Sequence, residues 1–255
     1  GAPVTAHDLE VDGAMTAWMV RAANPTLMQT LEGQPVFVHA GPFANIAVGQ
    51  SSVIADRVGG LLGDYLVTES GFGADIGFEK FWNIKCRVSG MKPDAAVVVA
   101  TVRALKSHGG GPAVKPGAKL DEAYTRENVG LVEAGCENLR AHIETVRKAG
   151  VTPVVCLNAF HTDTKAEQRA VRRLAEETGA LFAVSNHWLQ GGEGARELAE
   201  AVVTAAAQPN DFHPLYSLDE PVESRIDRVA RDVYGADGVS YSEAARAKLD
   251  RIVSD

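Results

Sequence analysis

Between residues 67 and 87 the sequence reads VTESGFGADIGFEKFWNIKCR. Gly71 and Gly73 flank Phe72, Asp75 follows, and then come Glu79, Lys80, Phe81, Trp82, Lys85 and Arg87. Glycine lets a backbone turn tightly or approach a ligand closely. A carboxylate such as Asp75 near a helix start is favoured by the helix dipole and can cap free N–H groups. Four further stretches have the same character: AGPFANIAVGQSS, LKSHGGG, NAFHTDT and NHWLQGGEG. Each carries Gly, Asn, Asp, His or an aromatic residue, and each sits directly after an apolar run. Gathered at one edge, they would form a single polar cleft.

The elements that must position them are legible in the pattern. Apolar runs of strand length cover residues 35–40, 64–70, 95–103, 152–160 and 181–186. They are rich in Val and nearly continuous, which marks strands buried on both faces, as in a parallel sheet. Helical spacing fills residues 127–149, where Val129, Val132, Cys136, Leu139, Ile143 and Val146 recur every third or fourth residue and Gly150 closes the run. Residues 164–178 and 193–207 follow the same logic. The fold class is therefore α/β: an open, mostly parallel, doubly wound sheet flanked by helices, of P-loop NTPase-like or Rossmann-like architecture. In such sheets ligands bind at the carboxyl ends of the strands.

Composition sets the bounds. With 255 residues and 45% hydrophobic content the chain can bury a substantial core. A formal net charge of -8 disfavours a nucleic-acid partner. Three cysteines, Cys86, Cys136 and Cys156, show no CxxC spacing and read as reduced thiols of a cytoplasmic protein without a metal site. No apolar run reaches membrane-spanning length. The chain opens at GAPVTAHDLE without an initiator Met, which fits an excised segment. After Ala104 the glycines and prolines of LKSHGGGPAVKPGAKL argue for a loop, with Lys106 and His108 at its root as candidates. Residues 209–220 read as a Pro-rich connector, and two helices follow at 221–234 and 240–253, the second capped by Ser240 with Glu243. There is no GxxxxGK[ST], HExxH or GxSxG, and GFGADIG is one residue too long for the dinucleotide fingerprint.

The stretches VHAGPFANIA, VTESGFGADIGFEKFWNIKCR, VVVATVRALKSHGG, ENLRAHIETV, FHTDT, GGEGARELAE and VYGADGVSYS together resemble the formate–tetrahydrofolate ligases, in order and over almost the whole chain. Enzymes of that family use ATP to make formyl phosphate from formate and pass the formyl group to N10 of tetrahydrofolate. They are longer than this chain, and their P-loop lies in an N-terminal part that it lacks. The resemblance implies formate, ATP and tetrahydrofolate as small-molecule partners, with Mg2+ and a monovalent cation, K+ or NH4+. It also implies a homo-oligomer, or association with the missing segments, and neither a nucleic acid nor a membrane as partner.

The resemblance also distributes roles. Residues 1–110 would carry the strand-end cleft of the nucleotide and formyl phosphate domain, 111–208 the folate-binding α/β portion, and 209–255 the connector and two helices. Backbone around Gly41, Asn45, Gly71, Phe72 and Gly73 would line the phosphate side. Asp75, Lys80 and Arg103 are the implied catalytic residues. The pterin would lie at Phe160, His161, Val184 and Trp188, with the first and last as an aromatic clamp. The plain alternative for Glu79, Lys80 and Lys85 is a solvated helix face, for Asp75 a capping role, and for Trp188 a place in the core. Trp82 and Cys86 read as core. Val48, Gln50 and Ala159 stand where the family has His, Asn and a basic residue, and His161 where a Pro or small residue is usual. A truncated or diverged non-catalytic folate-binding or assembly module is thus the second reading.

Overall fold

The computed structural model describes residues 2–41, 48–50 and 52–254. They fall into two compact units, one of Gly1–Phe72, Lys80–Ser89 and Tyr216–Asp255, the other of Gly73–Glu79 and Gly90–Leu215.

The first unit begins with helix α1 (Asp12–Ala22), none of whose residues is buried. Strands β1 (Thr26–Gln29) and β2 (Pro35–Val38) form a two-stranded antiparallel sheet, Thr26 opposite Val38. The run at 35–40 is therefore not a member of a parallel sheet. The reason is the link: Gly33, at φ 85°, and the bond from Thr30 N to Gln34 O close a tight turn. A turn that short can join only antiparallel neighbours. Helix α2 (Val53–Leu62) starts at Ser52, whose hydroxyl accepts from Ala55 N. The run at 64–70, expected as a strand, has no ladder partner among the described residues, and Tyr65, Leu66 and Val67 are exposed. β-branched and aromatic residues favour extended backbone, but a strand also needs a neighbour. A π turn (Phe81–Lys85) and the short α3 (Cys86–Ser89) follow, with Trp82 and Cys86 buried as expected. The unit closes with helices Val222–Asp232 and Glu243–Ser254. The last is capped by Ser242, whose Oγ accepts from Ala245 N, rather than by Ser240.

The second unit is built on a three-stranded parallel sheet, β3 (Ala95–Ala100), β4 (Thr152–Asn158) and β5 (Leu181–Ser185), in the order β3-β4-β5. The run expected over 95–103 ends at Ala100 because Thr101 caps the next helix, α4 (Val102–His108), accepting from Ala104 N. After the short α5 (Glu122–Thr125), α6 (Val129–Lys148) returns the chain to β4, and α7 (Lys165–Glu177) joins β4 to β5. Sheet order advances in one direction, so right-handed crossovers place α6 and α7 on the same face. There Val132, Leu139, Ile143, Val171 and Leu174 meet Ala100, Val155 and Leu157 in the main core. After the short α8 (His187–Gln190) and a 3-10 turn (Gly191–Ala195), α9 (Arg196–Ala206) packs back against β3, β4 and β5. Central β4 is buried from Pro153 to Leu157. At the edge, Val97 and Val99 of β3 remain exposed.

Two helix ends are fixed locally, the second where the sequence expected it. Thr164 and Glu167 form a reciprocal capping box at α7, and Gly150, at φ 78°, stops α6. The contact between α4 and α6 demands a glycine: a Cβ at Gly135 would lie 1.9 Å from Leu105 O. No helix among the described residues is long and apolar enough to cross a membrane.

Candidate functional site

The carboxyl ends of β3, β4 and β5 lie along one edge of the sheet, because the strands are parallel and in register. At the end of β3, α4 carries Arg103 and Lys106. The Lys106 ammonium is 1% exposed, 2.6 Å from Glu167 Oε1, and donates to Arg126 O at 2.7 Å. Glu167 is fully buried and accepts also from Asn128 N at 2.8 Å and Thr164 N at 2.9 Å. Burial alone would raise the Glu167 pKa. The hydrogen bonds from Lys106, Thr164 and Asn128 outweigh it and hold the carboxyl below its ordinary value. Lys106, a candidate for chemistry in the sequence, thus ties α4 to the start of α7 and is not available to a ligand.

At the end of β4 the backbone of Phe160 is clamped twice by Asp163, whose Oδ2 accepts from Phe160 N at 2.9 Å and whose N donates to Phe160 O at 3.0 Å. Burial pushes the Asp163 carboxyl up, opposed by that hydrogen bond. Phe160 is 38% exposed, and the Arg103 guanidinium lies over its ring at 4.8 Å from the centroid. His161 beside it is exposed. Ala159 N reaches across to Ser185 O at 2.9 Å, so the loops after β4 and β5 are joined at their roots. At the end of β5, Val184 packs partly buried against the core and Ser185 Oγ meets His187 Nδ1 at 2.8 Å. Trp188, on the single turn α8, is 87% exposed and so is not a core residue.

Gly73 and Asp75 belong to the same unit, Gly73 just before and Asp75 within a π turn (Ala74–Phe78) that packs on α6. Asp75 Oδ1 lies 3.9 Å from His142 Nδ1 of α6. Burial lowers the His142 pKa, Asp75 raises it in part, and His108 lowers it further. A Cβ at Gly73 would fall 2.4 Å from Asp75 Oδ1 and 2.9 Å from His142 Cε1, so those two side chains would have to shift. Gly41, Gly71, Phe72 and Lys80 lie in the other unit. Gly41, Gly71 and Phe72 are exposed there, Phe72 at φ 66°, and Lys80 is half-buried. Asn45 lies outside the described residues.

The family model for formate–tetrahydrofolate ligase matches residues 1–255. The chain belongs to the formate–tetrahydrofolate ligase family. It is 67% identical over 99% of its length to the formate–tetrahydrofolate ligase of Dehalococcoides mccartyi strain 195, covering 42% of that protein. The ligase of Desulfotalea psychrophila is 65% identical over 99% of the chain, which covers 45% of it. That of Desulforapulum autotrophicum is 63% identical over the whole chain, with 43% covered. The chain thus spans less than half the length of these relatives.

Several residues of this family member escaped the sequence reading. Lys85, read as solvated, is 1% exposed. It is paired with the buried Asp56 and donates to Gln50 Oε1 at 3.0 Å, while Gln50 Nε2 donates to Ser70 Oγ at 2.9 Å. Gln50, the departure from the usual Asn, therefore carries a structural hydrogen-bond pair. No local signal marks a lysine whose partner lies on another element. Asp163 and His142 were missed for the same reason. Glu167 did have a signal, the TKAE capping box.

Proposed function

We propose that the chain is part of an ATP-dependent ligase that joins formate to tetrahydrofolate through formyl phosphate, giving 10-formyltetrahydrofolate. The observation that carries this reading is the pair Phe160 and Trp188. Both follow the ends of adjacent parallel strands, and both rings are open to solvent. Two exposed aromatics at such a place suit a flat heteroaromatic ring such as a pterin. His161 and Val184 flank them in sequence.

In this reaction a formate oxygen attacks the γ-phosphorus of ATP and ADP leaves. N10 of the folate then attacks the formyl carbon, the C–O bond breaks, phosphate leaves and N10 gives up its proton. Phosphoryl transfer of this kind needs positioning and charge compensation more than covalent chemistry. The mixed anhydride must be kept from water. On the phosphate side, Asp75 with the backbone at Gly73 in one unit, and Lys80 with the backbone at Gly41, Gly71, Phe72 and, by sequence, Asn45 in the other, are separate proposals, each to be tested singly. Mg2+ would arrive on the nucleotide phosphates. Among the described residues there is no group of three or more His, Cys, Asp or Glu side chains that could hold a metal. The monovalent cation belongs to the same proposal, as does a cytoplasmic setting for the three free thiols.

The test is formation of 10-formyltetrahydrofolate by the full-length protein, dependent on both ATP and formate. Its absence in a folded preparation sinks the ligase reading. The 255 residues alone, which contain no GxxxxGK[ST], should not turn over.

A further inference from the structure

β3 and β4 run side by side with Ala100 opposite Leu157. Three residues beyond each of these stand Arg103 and Phe160, so in-register strands deliver the two side chains to one place. The Arg103 guanidinium covers the Phe160 ring at 4.8 Å. Its Nε is buried and has no hydrogen-bond partner. A guanidinium carries five donors, and leaving one buried and unmade is costly. The contact that the guanidinium does make is with the ring face. The Phe160 backbone is already fixed by its two bonds to Asp163, so the freedom left is that of the ring, and the arginine limits it.

We propose that Arg103 is a positioning residue acting through Phe160: it occupies one face of the ring and holds the remaining surface ready to stack on a flat ligand. This rests on the folate-binding reading of this strand end. It gives Arg103 a different task from supplying charge to a transferred phosphoryl group. It also explains why the residue is Arg, since a planar guanidinium stacks and an ammonium does not.

The experiment is a double-mutant cycle in the full-length protein, with tetrahydrofolate affinity read by titration calorimetry and melting curves confirming that each variant is folded. Phe160→Ala should weaken tetrahydrofolate about tenfold. Arg103→Met should weaken it about fivefold. The double variant should be no weaker than Phe160→Ala alone, because removing the ring removes the arginine's effect. In steady state Arg103→Met should raise KM for tetrahydrofolate and leave kcat and KM for ATP unchanged. Arg103→Lys, which keeps charge but loses the plane, should stay closer to Arg103→Met than to the parent, and it carries the test if the methionine variant does not fold. Multiplying effects in the double variant, a fall in kcat, or parental affinity in Arg103→Met each overturn the inference while leaving the folate site standing. Parental affinity in Phe160→Ala removes the folate site itself, and this inference with it.

Discussion

Lys106 Nζ and Glu167 Oε1 lie 2.6 Å apart with both side chains closed off from solvent, joining the helix after β3 to the helix after β4. Breaking one side of such a pair leaves an uncompensated buried charge. Lys106→Met or Glu167→Gln should therefore each cost about 3–5 kcal/mol in denaturant unfolding, and the double replacement less than the sum. Because the folded Glu167 pKa is depressed, its contribution is complete above the unfolded value of 4.5 and is lost as pH falls through the folded value. The stability difference between parent and Glu167→Gln should shrink correspondingly below pH 4.5.

Asp75 and His142 make a second, softer pair. The His142 pKa is lowered mainly by burial, and Asp75 offsets part of that. Asp75→Asn should move the imidazole titration further down, as read by NMR. The neutral imidazole is the form the fold prefers, so its contribution is present above the ordinary value of 6.5 and is lost as pH falls below it. An unchanged titration in Asp75→Asn would show that the carboxylate does not reach the ring.

Trp188 is exposed and free to stack. Trp188→Ala in the full-length protein should weaken tetrahydrofolate binding by around tenfold, with ATP affinity and melting temperature near the parent's. Trp188→Phe should retain most of the affinity. If both variants bind tetrahydrofolate as tightly as the parent, the ring takes no part in the site.

The thiols should be inert in the folded state. Burial pushes Cys86 and Cys136 each up to about 11 and raises Cys156 as well, so little thiolate exists near neutrality. A thiol reagent should label these three cysteines slowly in native buffer and rapidly in denaturant. Fast native labelling of Cys86 would contradict its packing.

Three parallel strands were legible in the pattern, expected over 95–103, 152–160 and 181–186 and formed over 95–100, 152–158 and 181–185, as were the long helices before the second and third of them, whereas the residues of α4 read as strand and loop. These follow from local rules: a strand buried on both faces must be apolar throughout, a packed helix must repeat near 3.6, and a cap must bond its own first turn. Phe160 and Trp188 were legible as strand-end residues for that reason. The tertiary structure alone decided the rest. Nothing near Lys85 announces Asp56, and nothing near Arg103 announces Phe160, because an ion pair or a stacked ring is a relation between residues that only folding brings within reach. The same holds for residues 64–70: their side chains report a taste for extended backbone, while membership of a sheet depends on a neighbour's hydrogen bonds.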